Sequence, residues 1–141
     1  MPYPDLLVQP MRDDLVRLGF QELRTAQDVD GLLAQEEDPV LVVVNSVCGC
    51  AAGSMRPAVG LSLQNSETKP PVLATVFAGQ DLEATEKARE YFAGYPPSSP
   101  SIALLKSGKL VWMLERHQIE GRGAEEISQD LAQAYQEHCA A

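Results

Sequence analysis

The chain has 141 residues, 45% of them hydrophobic, and a formal net charge of -9 at pH 7. This length suits one domain spanning residues 1–141, and the negative charge argues against a nucleic-acid ligand, which needs clustered lysine and arginine. Three cysteines are too few for a disulfide-stapled secreted scaffold, and neither a signal-peptide pattern nor a membrane-length apolar stretch of ~20 residues is found, so we expect a cytoplasmic protein without membrane contact.

The N-terminal part of the chain predicts a helix, a short strand and a second helix. Residues 10–18 have the apolar spacing of a short amphipathic helix, with Pro10 in its first turn. Residues 20–24 fit a short edge strand. Thr25 and Asp28 have the spacing of an N-cap pair, so the second helix is expected to begin directly after Thr25.

A buried strand is predicted next, and two closely spaced cysteines follow it. Residues 40–45 form a valine-rich run, too short for most helices and typical of a strand in a parallel sheet. Cys48 and Cys50 come directly after it, at the sheet edge where parallel sheets place chemistry. Residues 51–63 favour a helix that Pro57 kinks. The cysteines are therefore expected at a helix N-terminus, where unpaired N–H groups and the helix dipole favour a thiolate.

The C-terminal half predicts three more strands and two more helices. The strands are residues 72–77, 102–105 and 110–114, and the helices are residues 81–92, capped by Asp81, and residues 124–138. The last two strands form a predicted hairpin, whereas the earlier strand-helix-strand units imply parallel pairing. The expected architecture is α/β, with a mixed central sheet flanked by helices and an additional N-terminal helix.

A proline precedes the predicted hairpin. Pro100 stands in the segment Ser98-Ser99-Pro100-Ser101, and an X-Pro bond in such a tight turn is a candidate for the cis form.

This order of elements resembles the thioredoxin fold, in which a cysteine motif lies between a central strand and a kinked helix. Within that fold, the chain resembles the bacilliredoxins in its segment Asn45-Ser46-Val47-Cys48-Gly49-Cys50-Ala51-Ala52-Gly53, followed by Arg56-Pro57. Bacilliredoxins are small Cys-Gly-Cys proteins of bacteria that use bacillithiol as their low-molecular-weight thiol, and some have been described as thiol-disulfide isomerases. The thioredoxin motif Trp-Cys-Gly-Pro-Cys differs, since it adds a tryptophan and one more residue between the cysteines.

The resemblance implies a thiol-disulfide oxidoreductase that removes bacillithiol from S-bacillithiolated proteins. Cys48 would take the bacillithiol onto itself, and Cys50 or a second bacillithiol would resolve the adduct. Bacillithiol would be a co-substrate, with no bound cofactor, and a separate reductase would recycle the protein. Arg56 would anchor a ligand carboxylate, unless it is a plain solvated helix residue. The implied substrate-binding residues are Gly49, Arg56, Ser99 and Pro100. Pro100 matches the cis-proline position of the family, so we predict that the bond between Ser99 and Pro100 is cis and that this turn presents backbone beside Cys48 to a substrate segment.

The residues themselves also favour exchange chemistry at this place. Thiol-disulfide exchange needs an exposed thiolate and a second sulfur nearby, and Cys48 with Cys50 supplies both. Residues 46–80 carry one net positive charge in an otherwise acidic chain. An anionic thiol would therefore not be repelled from this region.

Two alternatives use the same cysteines differently. A protein disulfide isomerase would act through the same pair, Cys48 and Cys50. A metal-binding or interaction module would instead combine the pair with His117, His138 or Cys139. We expect no metal site, because no second closely spaced pair of ligands completes a zinc pattern.

Overall fold

The computed structural model describes residues 3–140. The helices of these residues are α1 (Asp5–Val16), α2 (Ala26–Leu33), α3 (Arg56–Asn65), α4 (Leu82–Glu90), α5 (Arg116–Ile119) and α6 (Ala124–Cys139). The strands are β1 (Gln21–Glu22), β2 (Val40–Asn45), β3 (Val72–Phe77), β4 (Ser101–Lys106) and β5 (Lys109–Leu114). A π-helical segment, Ala51–Met55, leads directly into α3 and accounts for the irregular helix predicted there.

The five strands form one mixed sheet in the order β1-β3-β2-β4-β5. β2 and β1 each pair in parallel with β3, whereas β4 runs antiparallel to both β2 and β5. The predicted mixed sheet, edge strand and hairpin are confirmed. Since β5 runs in the same direction as β2, the carboxyl ends of β2, β3 and β5 lie at one edge of the sheet. The start of β4 lies there too, because Val44 of β2 pairs with Ser101.

Helices cover both faces of the sheet, so β2 is buried along its whole length. Leu41 and Val43 point to one face, into the core that α3 and α6 complete. Val40, Val42 and Val44 point to the other face, where α2 and α4 pack. This alternation is the two-residue period of a strand. Each such buried side chain stabilises the fold by about 1.5–3 kcal/mol, and the strand therefore holds its carboxyl end firmly in place.

The first helix is longer than predicted. It begins at Asp5 instead of Pro10, so that Pro10 lies inside the helix. Pro10 has no N–H to donate to the carbonyl of Leu6, but Leu6 is 92% exposed, and water can bind that carbonyl.

The two predicted helix caps differ in outcome. Thr25 and Asp28 form a reciprocal cap at α2, because the Asp28 N–H donates to Thr25 Oγ1 at 3.0 Å while the Asp28 carboxylate accepts from the Thr25 N–H. Asp81 stands at the N-cap position of α4 but makes no capping hydrogen bond, so its predicted role is wrong. Its carboxylate accepts instead from Arg12 of α1, at 2.7 and 3.0 Å.

The C-terminal region follows the prediction except for one short helix. α6 covers the predicted residues 124–138 and one residue more. α5 was not predicted, because its four residues are too few to show an apolar period. Within residues 3–140, no helix has the length and apolar character needed to cross a membrane. The expectation that residues 1–141 form one domain stays a prediction.

Candidate active site

Cys48 and Cys50 lie at the N-terminal end of the helical segment that follows β2, as predicted. Local hydrogen bonds fix the connection between the end of β2 and this helical segment. The Ser46 N–H donates to Asn45 Oδ1 at 2.9 Å, and the Cys48 N–H donates to Ser46 Oγ at 3.2 Å. The Cys48 carbonyl accepts from two N–H groups of the first helical turn. The end of the buried strand therefore positions the first cysteine.

The two sulfur atoms lie next to each other. Cys48 Sγ and Cys50 Sγ are 2.6 Å apart, and both cysteines are free thiols. Both side chains are half-buried, and Gly49 between them is exposed. The sulfur of Cys50 is thus within direct reach of a disulfide formed on Cys48.

The environment separates the pKa values of the two thiols. The pKa of Cys48 is lowered from its ordinary value by the hydrogen bond with the Cys50 thiol, and also by backbone N–H groups and the positive charge of Arg116. The pKa of Cys50 is raised by burial, and also by the hydrogen bond and the charge of Cys48. Cys48 is therefore the thiol that ionises first, and thiolates are the reactive form of cysteine.

A cleft of about 310 Å³ opens beside Cys48, and we call it the Cys48 cleft. Its lining includes Ser46, Arg89, Ser99 and Arg116. A larger hollow of about 490 Å³ lies beside β5 but contains neither cysteine of the pair. The Cys48 cleft is thus the place where a substrate can approach the reactive sulfur.

The sequence matches a known family over nearly its whole length. A model of the family described as disulphide isomerase matches residues 3–139. A bacilliredoxin of Salinibacter ruber is 53% identical over 140 residues, which are 99% of this chain and 82% of the relative. A bacilliredoxin of Geobacillus kaustophilus is 53% identical over 142 residues, covering 99% of this chain and 98% of the relative. The chain belongs to the bacilliredoxin family.

Solved structures of thioredoxins share the fold of this bacilliredoxin-family chain. The thioredoxin of Malassezia sympodialis aligns with a TM-score of 0.58 and 15% identity over 86% of this chain and 91% of its own. The thioredoxin of Fasciola hepatica aligns with a TM-score of 0.56 and 20% identity over 84% of this chain and 99% of its own. The predicted thioredoxin-like fold is confirmed. Family and fold together identify the chain as a thiol-disulfide oxidoreductase.

Arg56 is buried, so the alternative that it is a plain solvated residue is wrong. The residue is only 7% exposed, and its Nη1 donates to Asn45 Oδ1 at 2.8 Å and to the Ser46 carbonyl at 3.1 Å. Its Nε lies 3.2 Å from a carboxylate oxygen of Asp14. These contacts tie α3 to the loop that carries Cys48. The anchoring of a ligand carboxylate by Arg56 stays a prediction.

The turn before β4 lies beside the cysteines. The peptide bond between Ser99 and Pro100 is cis, as predicted. Ser99 lines the Cys48 cleft, and Pro100 is buried behind it. The roles of Gly49, Ser99 and Pro100 in substrate binding stay predictions for this bacilliredoxin-family chain.

Arg116 is a residue of this site that sequence reasoning missed, as is Arg89. Its Nη1 donates to the Ser99 carbonyl at 3.0 Å, and its charge acts with the Cys50 hydrogen bond in lowering the pKa of Cys48. Arg116 stands two residues after β5, whose carboxyl end lies at the same sheet edge as that of β2. The predicted hairpin already implied this direction for β5. An arginine just after the second hairpin strand was therefore an available signal.

The metal-binding alternative finds no support in the arrangement of donor side chains. Within the described residues, no group of three or more His, Cys, Asp or Glu side chains converges as a metal site. His117 is exposed, and Cys139, the last residue of α6, packs against the core, where burial raises its pKa. The cysteine pair therefore has no additional metal ligands gathered around it in that part of the chain.

Iodoacetamide is expected to label Cys48 at lower pH than the other two cysteines. A lowered pKa keeps the Cys48 thiolate present at pH values where Cys50 and Cys139, whose pKa values are raised, remain thiols. Mass spectrometry of the separate peptides at low conversion, over a pH series, gives the three profiles. Cys139 serves as the internal control. If Cys50 were labelled at the lowest pH, the order of the two thiols would be reversed.

Proposed function

We propose that this chain removes bacillithiol from S-bacillithiolated proteins through Cys48, with Cys50 as the resolving thiol. The observation that carries the proposal is the pair of adjacent sulfurs with separated pKa values at the mouth of a cleft. The relatives named bacilliredoxin support bacillithiol as the low-molecular-weight thiol that is removed. A reactive first thiol and a less acidic second thiol suit attack followed by resolution.

The reaction proceeds in two exchange steps. The Cys48 thiolate attacks the bacillithiol sulfur of the protein mixed disulfide, so that a bond forms between Cys48 and bacillithiol while the protein sulfur leaves as a thiolate and takes up a proton. The Cys50 thiolate then attacks Cys48 Sγ, releases bacillithiol and closes a disulfide between the two cysteines. If a second bacillithiol resolves the adduct instead, the products are bacillithiol disulfide and the Cys48 thiol.

Bacillithiol is the co-substrate in this scheme, and the protein needs no bound cofactor. When Cys50 resolves the adduct, a separate thiol reductase must return two electrons to the pair of cysteines. Gly49, Ser99 and Pro100 are proposed to present backbone to the substrate beside Cys48. The reaction belongs in the reducing cytoplasm, where such mixed disulfides are to be removed.

Mass spectrometry of the reduced protein with an S-bacillithiolated protein tests the proposal. We expect the substrate to lose one bacillithiol, and the chain to show a bacillithiol adduct on Cys48 and then a product lighter by two hydrogens. The adduct identifies the attacked atom, and the lighter product identifies the resolving thiol. A substrate that keeps its bacillithiol, while Cys48 still reacts normally with iodoacetamide, would contradict the proposed function.

The family description favours a second candidate, protein disulfide isomerase. In that reaction the Cys48 thiolate attacks a non-native disulfide, and a thiol of the substrate resolves the mixed disulfide. Cys50 is then dispensable, because no bacillithiol has to be released from Cys48. Reactivation of a scrambled disulfide protein by a Cys50→Ala variant, at the rate of the unmodified chain, would favour isomerisation over bacillithiol removal.

A further inference from the structure

The lining of the Cys48 cleft is cationic although the chain is acidic. Arg89 of α4 and Arg116 of α5 both line the cleft, and none of its lining residues is Asp or Glu. The whole chain carries a net charge of -9. Two guanidinium groups therefore line the cleft beside the reactive sulfur, and no carboxylate is part of that lining, in a protein whose overall charge repels anions.

Arg89 is held in this place without an acidic partner. Within residues 3–140, it is the one arginine that forms no ion pair with a carboxylate. Its Nη2 donates to the Ser98 carbonyl at 3.4 Å, and its Nε is buried without an acceptor. A buried N–H that has lost water and has no acceptor is costly, and the positive charge of the half-buried guanidinium has no carboxylate beside it among the described residues.

Arg116 is the second arginine in the lining of the cleft. Its Nε donates to Glu120 at 2.9 Å and its Nη1 donates to the Ser99 carbonyl at 3.0 Å. These contacts involve Nε and Nη1, and the side chain is 43% exposed. The position is thus fixed while part of the group still faces solvent, as binding of an external anion requires.

We propose that Arg89 and Arg116 form an anion site that selects carboxylate-bearing low-molecular-weight thiols and disulfides and orients them against Cys48. The inference rests on the proposed function, since it assigns the charge class of the thiol that Cys48 receives. Guanidinium N–H groups form charge-assisted hydrogen bonds with carboxylates, and two such groups beside one cleft constrain the orientation of the ligand as well as selecting for its charge. Arg89 and Arg116 are binding residues in this scheme.

Three small disulfides of different charge test the site. The reduced protein is mixed with dithiodipropionate (anionic), bis(2-hydroxyethyl) disulfide (neutral) or cystamine (cationic). Mass spectrometry then times the loss of reduced protein, whether it becomes an adduct on Cys48 or the disulfide between Cys48 and Cys50. These molecules contain no protein part, so a charge preference belongs to the small-molecule side of the exchange. The quantity compared between variants is the ratio of the anionic to the neutral rate.

Arg89→Gln is expected to lower this ratio about tenfold, the effect of removing a charged hydrogen bond, and Arg89→Lys is expected to restore part of it. Arg116→Gln should lower the ratio as well. The matched control is Arg24→Gln, which removes one positive charge outside the cleft and should leave the ratio unchanged. Thermal unfolding of each variant confirms that the compared proteins are folded.

The outcomes separate this inference from the proposed function. If Arg89→Gln, Arg89→Lys and Arg116→Gln all keep the ratio of the unmodified chain, the anion site is wrong while exchange at Cys48 stands. The anion site is also wrong if Arg24→Gln lowers the ratio as much as Arg89→Gln does. If none of the three disulfides oxidises Cys48 of the unmodified chain, either to an adduct or to the disulfide with Cys50, the proposed function fails and the anion site fails with it.

Discussion

Replacing Cys48 by alanine is expected to abolish bacillithiol removal, whereas replacing Cys50 by alanine is expected to trap the adduct on Cys48. Cys48→Ala removes the thiol with the lowered pKa, and Cys50 has a raised pKa that leaves little thiolate to attack in its place. Cys50→Ala keeps the attacking sulfur but removes the one that lies 2.6 Å from it. The two variants should therefore fail at different steps, Cys48→Ala at the attack and Cys50→Ala at the resolution.

Mass spectrometry of each variant after one round with an S-bacillithiolated protein measures this difference. We expect no adduct on Cys48→Ala and one persistent bacillithiol on each molecule of Cys50→Ala. Cys139→Ala is the matched control, because it removes a thiol far along the chain from the pair and should behave as the unmodified protein. Full turnover by Cys50→Ala would show that an external thiol, and not Cys50, resolves the adduct.

Arg12→Ala is expected to lower the free energy of unfolding by about 3 kcal/mol, as for the loss of one partner of a buried ion pair. Arg12 is only 5% exposed, and its two Nη groups bind both carboxylate oxygens of Asp81. Nη1 also lies 3.3 Å from Glu22, and the guanidinium lies 5.2 Å from the centre of the Phe77 ring. Alanine leaves the carboxylate of Asp81, which is 14% exposed, without this cation.

Arg17→Ala, just after the end of the same helix, is the matched control. Arg17 is 68% exposed and pairs with Asp14, and exposed pairs of this kind stabilise proteins by at most ~1 kcal/mol. Urea unfolding followed by circular dichroism compares the two variants. A loss for Arg12→Ala that is no larger than the loss for Arg17→Ala would show that the Arg12 ion pairs do not stabilise the fold.

Local sequence patterns were sufficient to predict most helices and strands and the position of the cysteine pair. The valine-rich run of β2 and the cap formed by Thr25 and Asp28 depend on residues a few positions apart. The hairpin of β4 and β5 depends on a short turn in the same way. Cys48 and Cys50 follow β2 directly, so their place at the sheet edge followed from the order of elements.

Tertiary structure alone decided what the arginines do. Arg12 binds Asp81, which is 69 positions away, and this contact takes the carboxylate that local reasoning had assigned to a helix cap. Arg56 is buried against the end of β2, and Arg89 and Arg116 meet beside Cys48 from α4 and α5. An arginine has a long, flexible side chain that can reach acceptors on several neighbouring segments. Its partner therefore depends on which segments pack nearby. The sequence by itself therefore determined the succession of strands and helices, the reactive thiols and their family, whereas the charged surroundings of those thiols were decided by the packing of distant segments.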